Sequence, residues 1–168
     1  EVSFIITILD GPDISPLDEQ FACTSFELPA IVGTNLTGNE AYYTSPGGTG
    51  TRFEVGDIIN TSQTLFIYDG TAGCEDEEGF SLNIIPAPQI DDIPNQVVCG
   101  SFILPVITGV NLSGNEAYFD EVNGNGNRFQ AGDIITSDQV LFIWDNSDGC
   151  NSQQVFEIIV NEAPDVLL

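Results

Sequence analysis

Three features of the sequence predict an all-β chain built as two tandem antiparallel sandwiches. Its apolar segments alternate with period two, breakers rich in glycine and proline separate them at short intervals, and most of the chain repeats itself after a constant step. No stretch carries apolar residues at the helical spacing of about 3.6.

The repeat fixes the organisation. Cys23-Thr-Ser-Phe-Glu-Leu-Pro29 returns as Cys99-Gly-Ser-Phe-Ile-Leu-Pro105, and Asn35-Leu-Thr-Gly-Asn-Glu-Ala-Tyr42 returns as Asn111-Leu-Ser-Gly-Asn-Glu-Ala-Tyr118. Arg52-Phe53 and Gly56-Asp-Ile-Ile59 return as Arg128-Phe129 and Gly132-Asp-Ile-Ile135. Leu65-Phe-Ile-Tyr-Asp69 returns as Leu141-Phe-Ile-Trp-Asp145, and Cys74 as Cys150. Every pair differs by 99 − 23 = 76 with no gap. A solenoid unit has about 20–50 residues; this longer unit suits a bead with its own core. The same step links Phe4, Phe80 and Phe156, and also Pro12, Pro88 and Pro164. Residues 1–11 therefore read as the last strand of a preceding repeat in a longer array, followed by repeats at 12–87 and 88–168.

Each strand has its own signature. Phe80, Leu82 and Ile84 point one way while Ser81 and Asn83 point the other, and Phe4, Ile6 and Ile8 and Phe156, Ile158 and Val160 hold the same period-two places. Thr64–Tyr68 and Val140–Trp144 are apolar on both faces, which predicts a central strand covered on both sides. Shorter strands are expected at Ala41–Thr44, Thr51–Glu54 and Asp57–Ile59, with counterparts one step later. Gly33, Gly38, Ser45–Gly50, Gly56 and Asp69-Gly70 break the first copy, and Asn123–Asn127 is a loop of the second. About seven short strands per repeat is the immunoglobulin-like pattern. Prolines 12, 16, 86, 88, 94 and 164 mark the joints as short and stiff, so an extended arrangement is expected.

Cys23 and Cys74 have the same separation as Cys99 and Cys150. A bridge inside each repeat is the expected pairing, with Cys74–Cys99 across the joint as its rival. Closing a loop of about 50 residues would add about 4 kcal/mol in the chain-entropy picture, useful to so small a core. Disulfides also imply an oxidising, extracytoplasmic compartment. Cysteines this far apart, without a CxxC pair, argue against zinc.

Composition narrows function. There are 26 acidic residues against two arginines, with no lysine and no histidine, giving a net charge of −24. Such a surface repels phosphate, which excludes nucleic acid and anionic membranes as partners. It favours solubility and attracts cations. Without histidine there is no Ser-His-Asp constellation and no histidine-ligated zinc; without lysine there is no Schiff base. Only a carboxylate pair would remain for catalysis, and the chain is read as non-enzymatic. Apolar runs such as Leu65–Tyr68 fall far short of the roughly 18 residues of a membrane span.

Most acidic residues do not return one step later: Glu75–Glu78 becomes Asn151–Gln154. The charged positions that both copies keep are Glu40/Glu116, Arg52/Arg128, Asp57/Asp133 and Asp69/Asp145. Arginine suits a partly buried ion pair, so Arg52 and Arg128 are each expected to pair with a retained carboxylate of their own repeat. Asp57/Asp133 and Asp69/Asp145 stand where aspartate caps turns. Calcium, which takes six to eight oxygen ligands, is the sharper alternative, with Asp145 and Asp148, Asp91 and Asp92, and Asp10 and Asp13 as candidate ligands. Tyr42-Tyr43, Tyr118-Phe119 and Trp144 are candidates for stacking on sugars, although their equivalent placement favours core packing. Asn35-Leu-Thr37, Asn60-Thr-Ser62 and Asn111-Leu-Ser113 match the glycosylation sequon.

The string Leu-Pro-x-Ile-x-Gly-x-Asn-Leu-(Thr/Ser)-Gly-Asn-Glu-Ala-Tyr, followed by Gly-Asp-Ile-Ile and Phe-Ile-(Tyr/Trp)-Asp, resembles repeats of giant flavobacterial gliding-type adhesins exported by the type 9 secretion system. The stretch from Phe53 to Cys74 and Phe80 also resembles the hyalin-repeat pattern, an adhesion-associated module. The resemblance covers both repeats. It implies an extracellular, cell-surface location and a stalk or spacer role, with neighbouring repeats, surface glycans or other filament chains as partners. A calcium- or glycan-binding recognition module, and an accessory domain of a secreted hydrolase, are the alternative expectations.

Overall fold

The computed structural model describes residues 10–71 and 73–162, so the strand expected at residues 1–11 lies almost wholly outside them. The chain divides into two compact units, Glu1–Ile85 and Pro86–Leu168. Among the described residues each unit is built from strands, with one 3₁₀ turn at Val122–Gly124.

The first unit runs β1 (Asp13–Ile14), β2 (Gln20–Cys23), β3 (Phe26–Glu27), β4 (Gly33–Thr34), β5 (Ala41–Ser45), β6 (Thr49–Phe53), β7 (Ile58–Ile59), β8 (Gln63–Thr71) and β9 (Cys74–Ile85). The second repeats the order as β10 (Gln89–Ile90), β11 (Gln96–Cys99), β12 (Phe102–Ile103), β13 (Gly109–Val110), β14 (Ala117–Phe119), β15 (Arg128–Phe129), β16 (Ile134–Ile135), β17 (Gln139–Ser147) and β18 (Cys150–Asn161). In the first unit a five-stranded sheet, β2-β9-β8-β5-β6, faces two short pairs, β1-β4 and β3-β7. The second has β11-β18-β17-β14-β15 facing β10-β13 and β12-β16. One pairing in each sheet departs from the antiparallel expectation. β2 lies parallel to β9 from Gln20↔Leu82 to Cys23↔Ile85, and β11 lies parallel to β18 from Gln96↔Ile158 to Cys99↔Asn161.

Period-two alternation builds the core. Leu65 and Ile67 of β8 and Phe80 and Leu82 of β9 point inward, against Ile14 of β1, Leu28, Tyr42 of β5 and Ile59 of β7. The second unit closes in the same way around Ile90, Leu104, Tyr118, Ile135, Leu141, Ile143, Phe156 and Ile158. Burying such side chains supplies about 1.5–3 kcal/mol each. Tyr42 and Phe80 meet edge to face at 6.1 Å, and Tyr118 and Phe156 at 6.0 Å.

The outer face of the central strand is covered differently from the expectation. Phe66 and Tyr68 are half-buried, not enclosed. Loop glycines approach the outward rings instead. A Cβ at Gly48 would lie 2.8 Å from Tyr68 Cδ1, and one at Gly124 would lie 2.6 Å from Trp144 Cδ1. Both glycines also hold positive φ, +62° and +69°, so each position admits little else.

Candidate functional site

The most heavily buried of the retained charges are Asp69 and Asp145, each 1% exposed. Alternation along β8 explains why: Leu65, Ile67 and Asp69 share the core-facing side, and Asp69 ends that row. A carboxylate there must be hydrogen-bonded or it is costly. Thr37, 32 residues earlier, supplies the partners. Its N–H donates to Asp69 Oδ2 at 2.7 Å and its hydroxyl donates to Oδ1. In the second unit the Ser113 N–H donates to Asp145 Oδ2 at 2.8 Å and the Ser113 hydroxyl to Oδ1. The loop before β5 is thus clasped to the end of β8. The sequence suggests these aspartates as local turn caps; the fold instead gives them a distant partner, the hydroxyl kept as Thr37/Ser113.

Asp57 and Asp133 do cap turns. Asp57 Oδ2 accepts from the Glu54 N–H at 2.8 Å, and Asp133 Oδ2 from the Gln130 N–H at 2.7 Å. The neighbouring backbone ties to the core: Leu28 N–H donates to Asp57 O and Gly56 N–H to Leu28 O, with Leu104, Asp133 and Gly132 repeating this. Glu40 Oε2 accepts from the Gly38 N–H at 2.9 Å. Its counterpart Glu116 has a buried Oε2 without a hydrogen-bond partner.

The arginines do not bind the retained carboxylates. Arg52 pairs with Glu54, two residues along the chain, and the side chains are 46% and 58% exposed. Glu40, Asp57 and Asp69 are already engaged with backbone groups or Thr37. Arg128 meets Gln130 at the equivalent place: with the amide oxygen turned toward it, Nη1 donates at 2.6 Å and Nη2 at 3.2 Å. Arg128 Nη2 also donates to Asn115 O at 3.3 Å. Residues two apart share a strand face, so the partner was local and differs between the copies.

Among the described residues no three acidic or cysteine side chains gather as a metal site. Asp145 is committed to Ser113, whereas Asp148 is exposed in a turn at φ +48°. Asp91 N–H donates to Thr108 O at 2.9 Å, Asp13 pairs with Thr34, and Asp10, Asp13, Asp91 and Asp92 are all exposed. The aromatic candidates divide. Tyr42 and Tyr118 are core residues at 0% exposure, with their hydroxyls donating to Pro29 O and Pro105 O at 2.9 Å. Burial pushes both phenols up to about 12. Tyr43 packs edge to face with Tyr68 at 6.1 Å. Tyr68, Gly47, Glu75, Asp76 and Glu77 line an open cleft of about 290 Å³. Partial desolvation, followed by the charge of Glu75, raises the Tyr68 phenol.

The cysteines overturn the expected bridges. Cys23 and Cys150 are disulfide-bonded. Cys74 and Cys99 carry free thiols, which removes Cys23–Cys74, Cys99–Cys150 and Cys74–Cys99 alike. Strand length supplies the reason. Cys74 is the first residue of β9, and Cys23 lies opposite Ile85, its last. The 85 − 74 = 11 steps between them span roughly 36 Å at about 3.3 Å each, against the roughly 7 Å that a disulfide tolerates between Cα atoms. β18, Cys150–Asn161, separates Cys150 from Cys99 in the same way.

No protein-family model and no curated protein matches the sequence. Among solved structures, the chain is similar to Drosophila OTK extracellular domains 3–5, with 7% identity, a TM-score of 0.54, and coverage of 89% of this chain and 62% of that one. It is also similar to the insect immune protein hemolin, at 14% identity, TM-score 0.46, and coverage of 94% and 48%. Sidekick-1 immunoglobulin domains 1–4 give 12% identity, TM-score 0.43, and coverage of 90% and 49%. At these identities the likeness concerns the fold. The chain is all-β, with two tandem immunoglobulin-like β-sandwiches.

Proposed function

We propose that these repeats, at 12–87 and 88–168, are spacer modules in the stalk of a large secreted cell-surface adhesin or extracellular filament. One observation carries this reading: the buried and turn-forming residues that both copies keep act inside their own repeat. Asp69/Asp145 clasp a loop, Asp57/Asp133 cap a turn, Tyr42/Tyr118 tie the core to Pro29/Pro105, and Gly48/Gly124 cover an aromatic ring. The acidic coat keeps such modules soluble and apart. Disulfide-bonded cysteines fit an oxidising exterior, and the sequence resemblance makes export by the type 9 secretion system of a gliding bacterium the source we favour. The array is expected to be extended through its proline joints, with neighbouring repeats as its constant partners.

Titration calorimetry with Ca²⁺ and a glycan array test the reading together. The expected result is no saturable heat and no glycan retained. Saturable binding of either, abolished by the same substitution in each repeat, would replace the spacer role with recognition.

A further inference from the structure

The two free thiols occupy opposite poles of the repeat. Cys74 opens β9 beside the segment that enters the first unit: a Cβ on Gly11 would lie 3.6 Å from Cys74 Cβ. Cys99 ends β11 opposite Asn161, the last residue of β18, and the Gly100 N–H donates to Asn161 O at 2.9 Å. It is exposed, at the pole where the chain leaves the second unit.

The 76-residue step gives each free thiol a bonded counterpart. Cys150 stands in the place of Cys74 and is disulfide-bonded; Cys23 stands in the place of Cys99 and is disulfide-bonded. Each position is therefore competent to bond, and the fold around it is the same in both copies. The bonded cysteines are one of each kind, entry-pole and exit-pole, and so are the free ones. Along the chain, each copy is left at its exit pole and the next is entered at its entry pole.

We propose that Cys74 and Cys99 are half-sites for disulfides to other copies of this repeat, Cys74 to an exit-pole cysteine and Cys99 to an entry-pole cysteine. Each bond forms when two thiols lose two protons and two electrons to a disulfide donor of the glutathione class. A thiolate attacks the donor, a mixed disulfide forms, and the second thiolate displaces it, so that the donor leaves as two thiols. The proposal is independent of the spacer role, since a recognition module could be linked in the same way.

The test uses the whole chain and polarity. The chain is incubated with oxidised glutathione in about 1 M salt, where screening over about 3 Å removes most repulsion between the acidic surfaces, and is then alkylated. On a non-reducing gel the expected product is a ladder of linked chains, with a Cys74–Cys99 peptide recovered by mass spectrometry from the oligomer bands. Cys74→Ser and Cys99→Ser are each expected to stay monomeric alone and to give a dimer, and nothing larger, when mixed. Circular dichroism verifies that both variants fold. Equal dimer from either variant alone, a Cys74–Cys99 bond within a monomer band, or thiols that stay unlinked throughout would overturn the proposal.

Discussion

In the first repeat Thr44 Oγ1 accepts from the Thr51 N–H at 2.9 Å, while in the second Asp120 Oδ1 accepts from the Asn127 N–H at 2.7 Å. Ser62 Oγ accepts from the Ile84 N–H where Asp138 Oδ1 accepts from the Val160 N–H. Glu77 receives the Gly47 N–H where Gln153 receives that of Asn123. The repeats keep an acceptor at each place and let its charge change. At one of these places, hydrogen bonds from Asn127 hold the Asp120 carboxyl below its usual range. Carboxylate identity is kept where two donors converge on a buried group, as at Asp69 and Asp145. Much of the acid content is thus a surface free to drift around a fixed frame.

The largest effect expected on this comparison comes from the buried clasp. Asp145→Ala should cost about 3 kcal/mol, because it strands the N–H and hydroxyl of Ser113. Trp144, the single tryptophan, reports the second repeat in urea. Asp69→Ala should cost as much by circular dichroism while leaving the tryptophan transition in place; clearly unequal losses would break the equivalence. Next come the tyrosines. Tyr42→Phe and Tyr118→Phe should each cost about 1 kcal/mol by removing the bond to Pro29 or Pro105. Both phenols are raised to about 12, so the folded state holds their protons more tightly than the unfolded chain does. Their contribution is whole below the free phenol value of about 10 and is lost as pH rises through about 12. Urea midpoints should therefore fall across that window, and less steeply in the double Phe variant.

A smaller test sets unlike acceptors against each other. Ser62→Ala and Asp138→Ala should each cost about 0.5–1.5 kcal/mol in urea; a loss confined to Asp138 would show that charge matters at this place. The smallest effect belongs to the arginines. Arg52→Gln should cost less than about 1 kcal/mol and nothing measurable at about 1 M salt, whereas Arg128→Gln should show no salt dependence, because Gln130 carries no charge.

The strands were legible because alternation is a local property: Leu65, Ile67, Phe80 and Leu82 announce their burial without reference to distant residues. Turn capping by Asp57 was legible for the same reason. The cysteine chemistry was not, since equal separations along the chain say nothing about which end of a 12-residue strand each residue reaches. The arginine partners were missed because retention was taken to mark both members of a pair, whereas the frame required only an oxygen at positions 54 and 130. The Thr37–Asp69 clasp joins two motifs that were each visible, and only the fold puts them side by side.

The parallel pairing of β2 with β9, and of β11 with β18, has a mechanical consequence. Four registered residue pairs link each couple, and the two strands of a couple belong to the beginning and the end of the same repeat. Tension along the polypeptide therefore drags them in opposite directions along their own axes. The bonds between them are loaded in shear and share the force, where a hairpin pulled from its open end would unzip one rung at a time.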